Sequence, residues 1–337
     1  MTPAEFAAAM PKVSLHCHLT GAVAAATVVE LAARHGVPVP GDRTAETLYD
    51  VDAHADLAEF LRVYDTVGAV VREPADFERV TYETLVLAAG HGVLHREMFV
   101  SPGSHAGVPW PVQLAGITAG LEAAERDAGI TCRLIVAINR EGSPAAGVEL
   151  VEQVIEHRTD HVVGIGLDYA EVSGPPEKFV EAFARARRAG LRRTGHSESG
   201  PPSNITTMLD ALGCERIDHG YHVVTDAGVT ARCRDDGIPF TCTPISSDVG
   251  RYSGSGDGTH AVIGAMVDAG LAVTIDSDDP PMFGTDPTND FQVLAAARGY
   301  GPDQLIRFTN TAVEASWLDD TEKAALRARV TALTPEF

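Results

Sequence analysis

The sequence predicts an α/β protein folded as one (β/α)8 TIM barrel, and three observations carry that expectation. Short runs rich in Val, Ile and Leu alternate with Ala-rich stretches of helical spacing, the pattern of βα units in a parallel sheet. Eight such runs can be counted, a number that favours closure over an open sheet. Polar residues gather at the C-terminal ends of those runs, where a barrel carries its chemistry.

In chain order the runs are Val13–Leu19, Val93–Ser101, Cys132–Asn139, Val162–Tyr169, Arg192–His196, Arg216–His219, Pro239–Pro244 and Ala272–Asp276. The first ends in His16-Cys17-His18, and the segment that follows it, about residues 22–90, is helical in pattern (ATVVELAARHG, LAEFLRVYDTVGAVV, FERVTYETLVLAAGHG). That segment is expected to be a helical insertion over the barrel mouth, so that residues 1–337 make a single domain. His196 and Glu198 follow the fifth run, His219 ends the sixth, Ser246 and Ser247 follow the seventh, and Asp276, Asp278 and Asp279 follow the eighth. Ser173–Pro176 and Gly250–Gly258 read as loops.

Composition narrows the partners. Lys and Arg number 26 against 47 Asp and Glu, a formal charge of −21. A field of that sign repels phosphate backbones and anionic lipid over about 8 Å at physiological salt, which argues against nucleic acid and membranes and for a small molecule. The five cysteines are odd in number and form no CxxC pair, so neither a disulfide framework nor a thiolate zinc site is expected. The chain has neither a basic start followed by a long apolar run nor an apolar stretch of the ~18 residues a membrane span needs, and it reads as soluble and cytoplasmic.

His16 and His18 on a strand point to one face, since side chains alternate with period two, while Cys17 points to the other. Alone, such a pair is ordinarily just polar residues at a strand end. A third imidazole, His196, and a carboxylate at equivalent strand ends change the reading, because neutral imidazoles plus one acid and an open position describe a catalytic zinc site. Ser277-Asp278-Asp279-Pro280 offers two acids that divide the labour, Asp278 on the metal and Asp279 orienting a water or taking its proton. The ordinary alternative for them is a helix N-cap before proline. His219 beside Gly220 would usually be a satisfied core histidine, and here it is taken as catalytic.

The segments PKVSLHCHLTGAV, TGHSESG, ERIDHGYHV, CTPISSDVG and TIDSDDPPMFGTD, in this order and spacing, resemble the adenosine deaminase family of the amidohydrolase superfamily over nearly the whole chain. The resemblance implies one Zn2+ per chain held by His16, His18, His196 and Asp278. It also implies Glu198 as proton donor to the ring N1 of a purine-like substrate, His219 as base or stabiliser of the attacking hydroxide, and Asp279 as its orienting partner. Hydroxide would add at C6 and ammonia would leave. The other zinc deaminase plan needs a PCxxC ligand pair, absent here.

Three departures fall on substrate-facing positions. Thr20 stands in HLTG where the family has an acid, Glu198 comes one residue early in HSES, and Glu171 stands in Gly166–Glu171 near the place of a family glycine. They predict a substrate other than adenosine: a modified nucleoside, a free base or another aminated heterocycle. Candidate contacts are Thr20, Asp168, Glu171, Ser246 and Ser247, with loop capping equally open for the two serines. Arg96, His105 and Arg140 could also reach a polar substituent, although structural salt bridging is their ordinary role. Two alternatives stand beside deamination: a related amidohydrolase cleaving another C–N bond, and a catalytically weak zinc-containing ligand-binding homologue, which the irregular HSES invites.

Overall fold

The computed structural model describes residues 1–50, 57–105, 107–251 and 256–336. Its described strands are β1 (Lys12–Ser14), β2 (Val93–Val100), β3 (Thr131–Asn139), β4 (Val162–Asp168), β5 (Arg192–Arg193), β6 (His196–Ser197), β7 (Ile217–His219), β8 (Pro239–Cys242) and β9 (Ala272–Ile275). They form a five-stranded sheet ordered β1-β2-β3-β4-β5 and a four-stranded sheet ordered β6-β7-β8-β9. Every pairing is parallel, and spatial order follows chain order, as short βα crossovers produce.

Two joints connect the sheets. The fifth expected run splits into β5 and β6 around Thr194 and Gly195, yet backbone bonds continue across the split, from Thr194 N to the Ile165 carbonyl (3.1 Å) and from Asp218 N to the Gly195 carbonyl (2.9 Å). At the other edge Cys17 and Asp278 form a parallel bridge. There His18 N donates to the Asp278 carbonyl (3.0 Å) and Asp278 N to the His16 carbonyl (3.2 Å). The eight strand positions and these joints give the arrangement expected of a (β/α)8 barrel.

The first expected run is longer than the strand it yields. Its regular ladder stops at Ser14, because the next two amides, Leu15 N and His16 N, donate to one carboxylate oxygen of Asp276 (2.5 and 3.0 Å) instead of to a neighbouring strand. Asp276, noted as a polar strand-end residue, thus serves the backbone of the metal-ligand candidates.

β2 is buried along its whole length, as a strand covered on both faces must be, although its sequence includes His95, Arg96 and Glu97. The Glu97 carboxylate accepts from Arg216 Nη1 at 2.7 Å, both side chains being fully buried, and the Arg216 guanidinium lies 4.2 Å from the centre of the Trp317 ring. These charges persist in the core because each has a partner.

Between β1 and β2 run the helices Ala25–His35, Leu57–Val70 and Pro74–Gly90. The first ends at Gly36 with φ +64°, a left-handed stop glycine supplies without cost, and the last starts with Pro74 and a reciprocal Glu73/Asp76 cap. Part of the expected helical insertion and the centre of the loop Gly250–Gly258 lie outside the described residues. Among the described residues no helix is long and apolar enough to cross a membrane. All five cysteines are buried and unpaired, and burial pushes the Cys17 and Cys132 thiols up to about 12.

Candidate active site

Strand ends bring four separated parts of the chain together. His16 Nε2 lies 3.2 Å from Asp278 Oδ1, His18 Nε2 lies 3.4 Å from the same oxygen, and His18 Nε2 faces His196 Nε2 at 3.1 Å. Ligand atoms of His16, His196, His219 and Asp278 also lie within 4.8 Å of one another. Among the described residues this is the one such cluster of metal-ligating side chains. Phe99 packs beneath it, its ring centre 5.0 Å from those of His16 and His18 and 5.2 Å from that of His196, which closes the cluster on its inner side.

The surroundings of the cluster orient its members. His16 Nδ1 meets Thr241 Oγ1 at 2.9 Å and Asp218 Oδ1 at 3.4 Å, and His196 Nδ1 lies 3.7 Å from Asp218 Oδ2. Asp218 is itself held by the Thr194 and Thr241 hydroxyls at 2.8 and 2.9 Å. Burial disfavours its charge, yet the His16 imidazole beside it keeps Asp218 far below the usual carboxylate range. A carboxylate behind metal-binding imidazoles fixes their tautomer and orientation. Sequence reasoning missed this role of Asp218: alternation would put neighbouring residues 218 and 219 on opposite faces, and the left-handed φ of His219 is what lets both turn toward the cluster.

The donor chemistry fits one Zn2+. Imidazole nitrogens and a carboxylate oxygen are its usual ligands, and two imidazole nitrogens facing each other 3.1 Å apart suit a shared cation better than each other. Burial disfavours the His16 imidazolium, but Asp218 and Asp278 overcome it and push this group up to about 10, a mark of negative charge that calls for a cation. Ser246 donates to Asp278 Oδ2 at 2.5 Å, so it supports a ligand candidate.

Glu198 stands beside this cluster, its Oε2 3.9 Å from His219 Nε2. Burial, then the nearby Glu171 charge, raise its carboxyl to about 8. His219 Nδ1 meets Thr243 Oγ1 at 3.2 Å and Tyr221 OH at 3.4 Å, while burial and then His16 hold its imidazole down to about 4. Asp279 is raised to about 7 by burial and by Asp278. Gly21 of the HLTG motif lies against it so closely that a Cβ there would stand 1.6 Å from Asp279 Oδ1. His219 and Asp278 adopt φ values of +64° and +61°, which non-glycine residues keep only where the surroundings impose them.

A cavity of about 180 Å³ opens over these groups. Phe60, Leu61 and Tyr64 of the helix Leu57–Val70 line one side with Phe283, Tyr169 lines another, and Asp168, Glu198 and Asp279 supply the polar points. No lysine or arginine is among the described lining residues. Asp168 is held by the Ser101 hydroxyl through Oδ2, while Oδ1 is buried without a partner, as are Glu198 Oε2 and Asp279 Oδ1 within hydrogen-bond range.

The remaining candidates take other positions. Thr20 is buried with its hydroxyl 3.4 Å from Ser104 Oγ, outside the cavity lining, and Ser247 donates to the Pro244 carbonyl at 3.0 Å. Glu171 lines the cavity, but its carboxylate is engaged by the loop that carries Glu198. Arg140 donates to the His196 carbonyl at 3.1 Å, His105 Nδ1 meets the Gly68 carbonyl at 3.0 Å, and Arg96 is buried in β2.

The profile of the adenosine deaminase family matches residues 11–333. An adenine deaminase of Vibrio parahaemolyticus is 33% identical over 328 residues, covering 96% of each chain. The crystal structure of an adenine deaminase from Arthrobacter aurescens superimposes with a TM-score of 0.90 at 33% identity, over 96% of this chain and 99% of its own. An amidohydrolase from Burkholderia ambifaria with bound Zn gives the same TM-score and identity over 98% and 93% of the two chains.

Proposed function

The chain belongs to the adenosine deaminase family, hydrolases that release ammonia from a 6-aminopurine with one Zn2+, and from that premise we propose that its substrate is an uncharged 6-aminopurine, adenine first. The observation that carries this reading is the cavity: aromatic walls of Phe60, Tyr64, Tyr169 and Phe283, five acids (Asp168, Glu171, Glu198, Asp278 and Asp279), and no lysine or arginine among the described lining residues to hold a phosphate. The adenine deaminases among its relatives support the same choice.

Zinc would be held by His16, His18, His196 and Asp278, and when bound it supplies Lewis acidity that makes water a nucleophile near neutral pH. His18 is preferred to His219 as ligand because its Nε2 faces both His196 and Asp278, whereas His219 turns toward Glu198 and Thr243. Attack at C6 drives electrons onto the ring nitrogen N1, and Glu198, protonated at neutral pH, gives N1 its proton at that moment. His219, neutral and anchored through Nδ1, offers Nε2 to the attacking water, takes its proton and then hands it to the C6 amino nitrogen, so that the C6–N bond breaks and ammonia leaves. Asp279, its inner oxygen unpaired, accepts the second hydrogen and fixes the direction of attack. Asp168 Oδ1 offers an acceptor to a donor on the purine edge. The aromatic walls exclude water and stack on the ring.

Steady-state ammonia release with adenine, adenosine and AMP tests the reading. Adenine is expected to give the highest kcat/KM; adenosine or AMP ahead by about tenfold or more, a gap of roughly 1.4 kcal/mol, would overturn it.

A further inference from the structure

We propose that Glu171 is a positioning residue: its buried carboxylate gathers the loop after β6 through five hydrogen bonds and thereby sets where the Glu198 side chain stands. The inference rests on the deaminase reading of Glu198 given above.

The geometry is dense. Glu171 Oε2 accepts from Ser199 N (2.9 Å), Gly200 N (2.7 Å) and Ser199 Oγ (3.4 Å). Its Oε1 accepts from Ser197 Oγ (3.2 Å) and from Asn204 Nδ2 (2.7 Å). The residues on both sides of Glu198 are thus tied to one carboxylate, which is 5% exposed. Gly200 lets the chain close on it, since a Cβ there would lie 2.1 Å from Glu171 Oε1 and 2.3 Å from Asn204 Nδ2. A carboxylate has about four lone-pair sites, so one that already accepts five contacts has little capacity left for a substrate.

This arrangement suits the short HSES motif. The acid stands only two residues after His196, so the chain cannot reach Glu198 by a longer turn and must be drawn down from outside. Glu171, which opens the 3-10 turn Glu171–Ser173 just after β4, is the group that draws it. Charge-assisted bonds to backbone N–H are the stronger kind, which makes a carboxylate a better anchor than an amide.

The test uses the zinc-loaded full chain. In E171Q the one amide oxygen can still accept from the fixed Ser199 and Gly200 N–H groups, but without the charge that strengthens those bonds, and its NH2 forces the Ser197 hydroxyl and the Asn204 amide to turn round and accept. A fall in kcat of about 100-fold is expected, as for a catalytic group displaced by roughly 1 Å, with KM within about threefold and zinc content unchanged. Amide exchange over residues 197–204 should quicken. In the double variant E171Q/N204D the new carboxylate accepts from the Gln amide, and kcat should recover by about tenfold or more. N204A, which leaves Glu171 in place, should lower kcat by about three- to tenfold at unchanged KM and decides the matter should E171Q not fold. Wild-type kcat in E171Q or in N204A, or a double variant no better than E171Q, overturns the proposal. A wild type inert toward adenine but active on another aminopurine condemns the substrate choice alone, and the variants are then read on that aminopurine.

Discussion

At the scale of the residue, burial decides protonation. Glu198 is an acid whose folded pKa, about 8, lies above its ordinary value, and as proton donor it works only while it holds its proton. The sign follows for both acids: kcat should fall roughly tenfold per unit above about pH 8, where Glu198 loses its proton, and fall again below about pH 7, where Asp279 gains one and can no longer accept from the water, two limbs that a stopped-time ammonia assay measures. His219, held near 4, stays neutral across that range and adds no further limb there. E198Q should lose about 10²- to 10⁴-fold in kcat and retain its zinc by metal analysis. A variant that keeps near wild-type activity would remove Glu198 from the mechanism.

At the scale of the element, legibility depends on where the hydrogen bonds go. The runs behind β3 and β4 are readable because strands covered on both faces are largely apolar, as Leu134–Ile138 is, while β2 carries buried charges. The ends of the first and fifth runs were not, because Asp276 captures the amides of residues 15 and 16, and Thr194 bonds sideways to Arg216 O and Asp218. Such long-range bonds leave no periodic trace. The ligand candidates were readable from residue type at strand ends; the supporting roles of Asp218, Ser246 and Gly21 were not, since each depends on a neighbour distant in sequence. The buried Arg216–Glu97 pair joins β7 to β2 through the interior. R216M should therefore cost about 3–5 kcal/mol in urea unfolding, since Glu97 keeps the Trp317 backbone N–H as a donor but loses its buried countercharge. A loss below about 1 kcal/mol, the worth of an exposed pair, would mean the pair is not truly desolvated.

At the scale of the molecule, the charge of −21 acts on whatever approaches the cavity. An uncharged purine feels little of it, so kcat/KM for adenine should change less than about twofold between 20 and 300 mM NaCl, whereas any turnover of AMP should rise with salt as repulsion is screened. An opposite pattern, measured in initial rates, would imply a local basic patch over the mouth. The joint between Cys17 and Asp278 has a consequence of another kind. Ligand candidates at positions 16 and 18 meet their partner at 278 only across that seam, so a growing polypeptide owns no finished pocket for the ion until nearly all of it has been synthesised and wound round. Capture of zinc would therefore come late in maturation, and the ion would fasten that seam like a clasp on a bracelet.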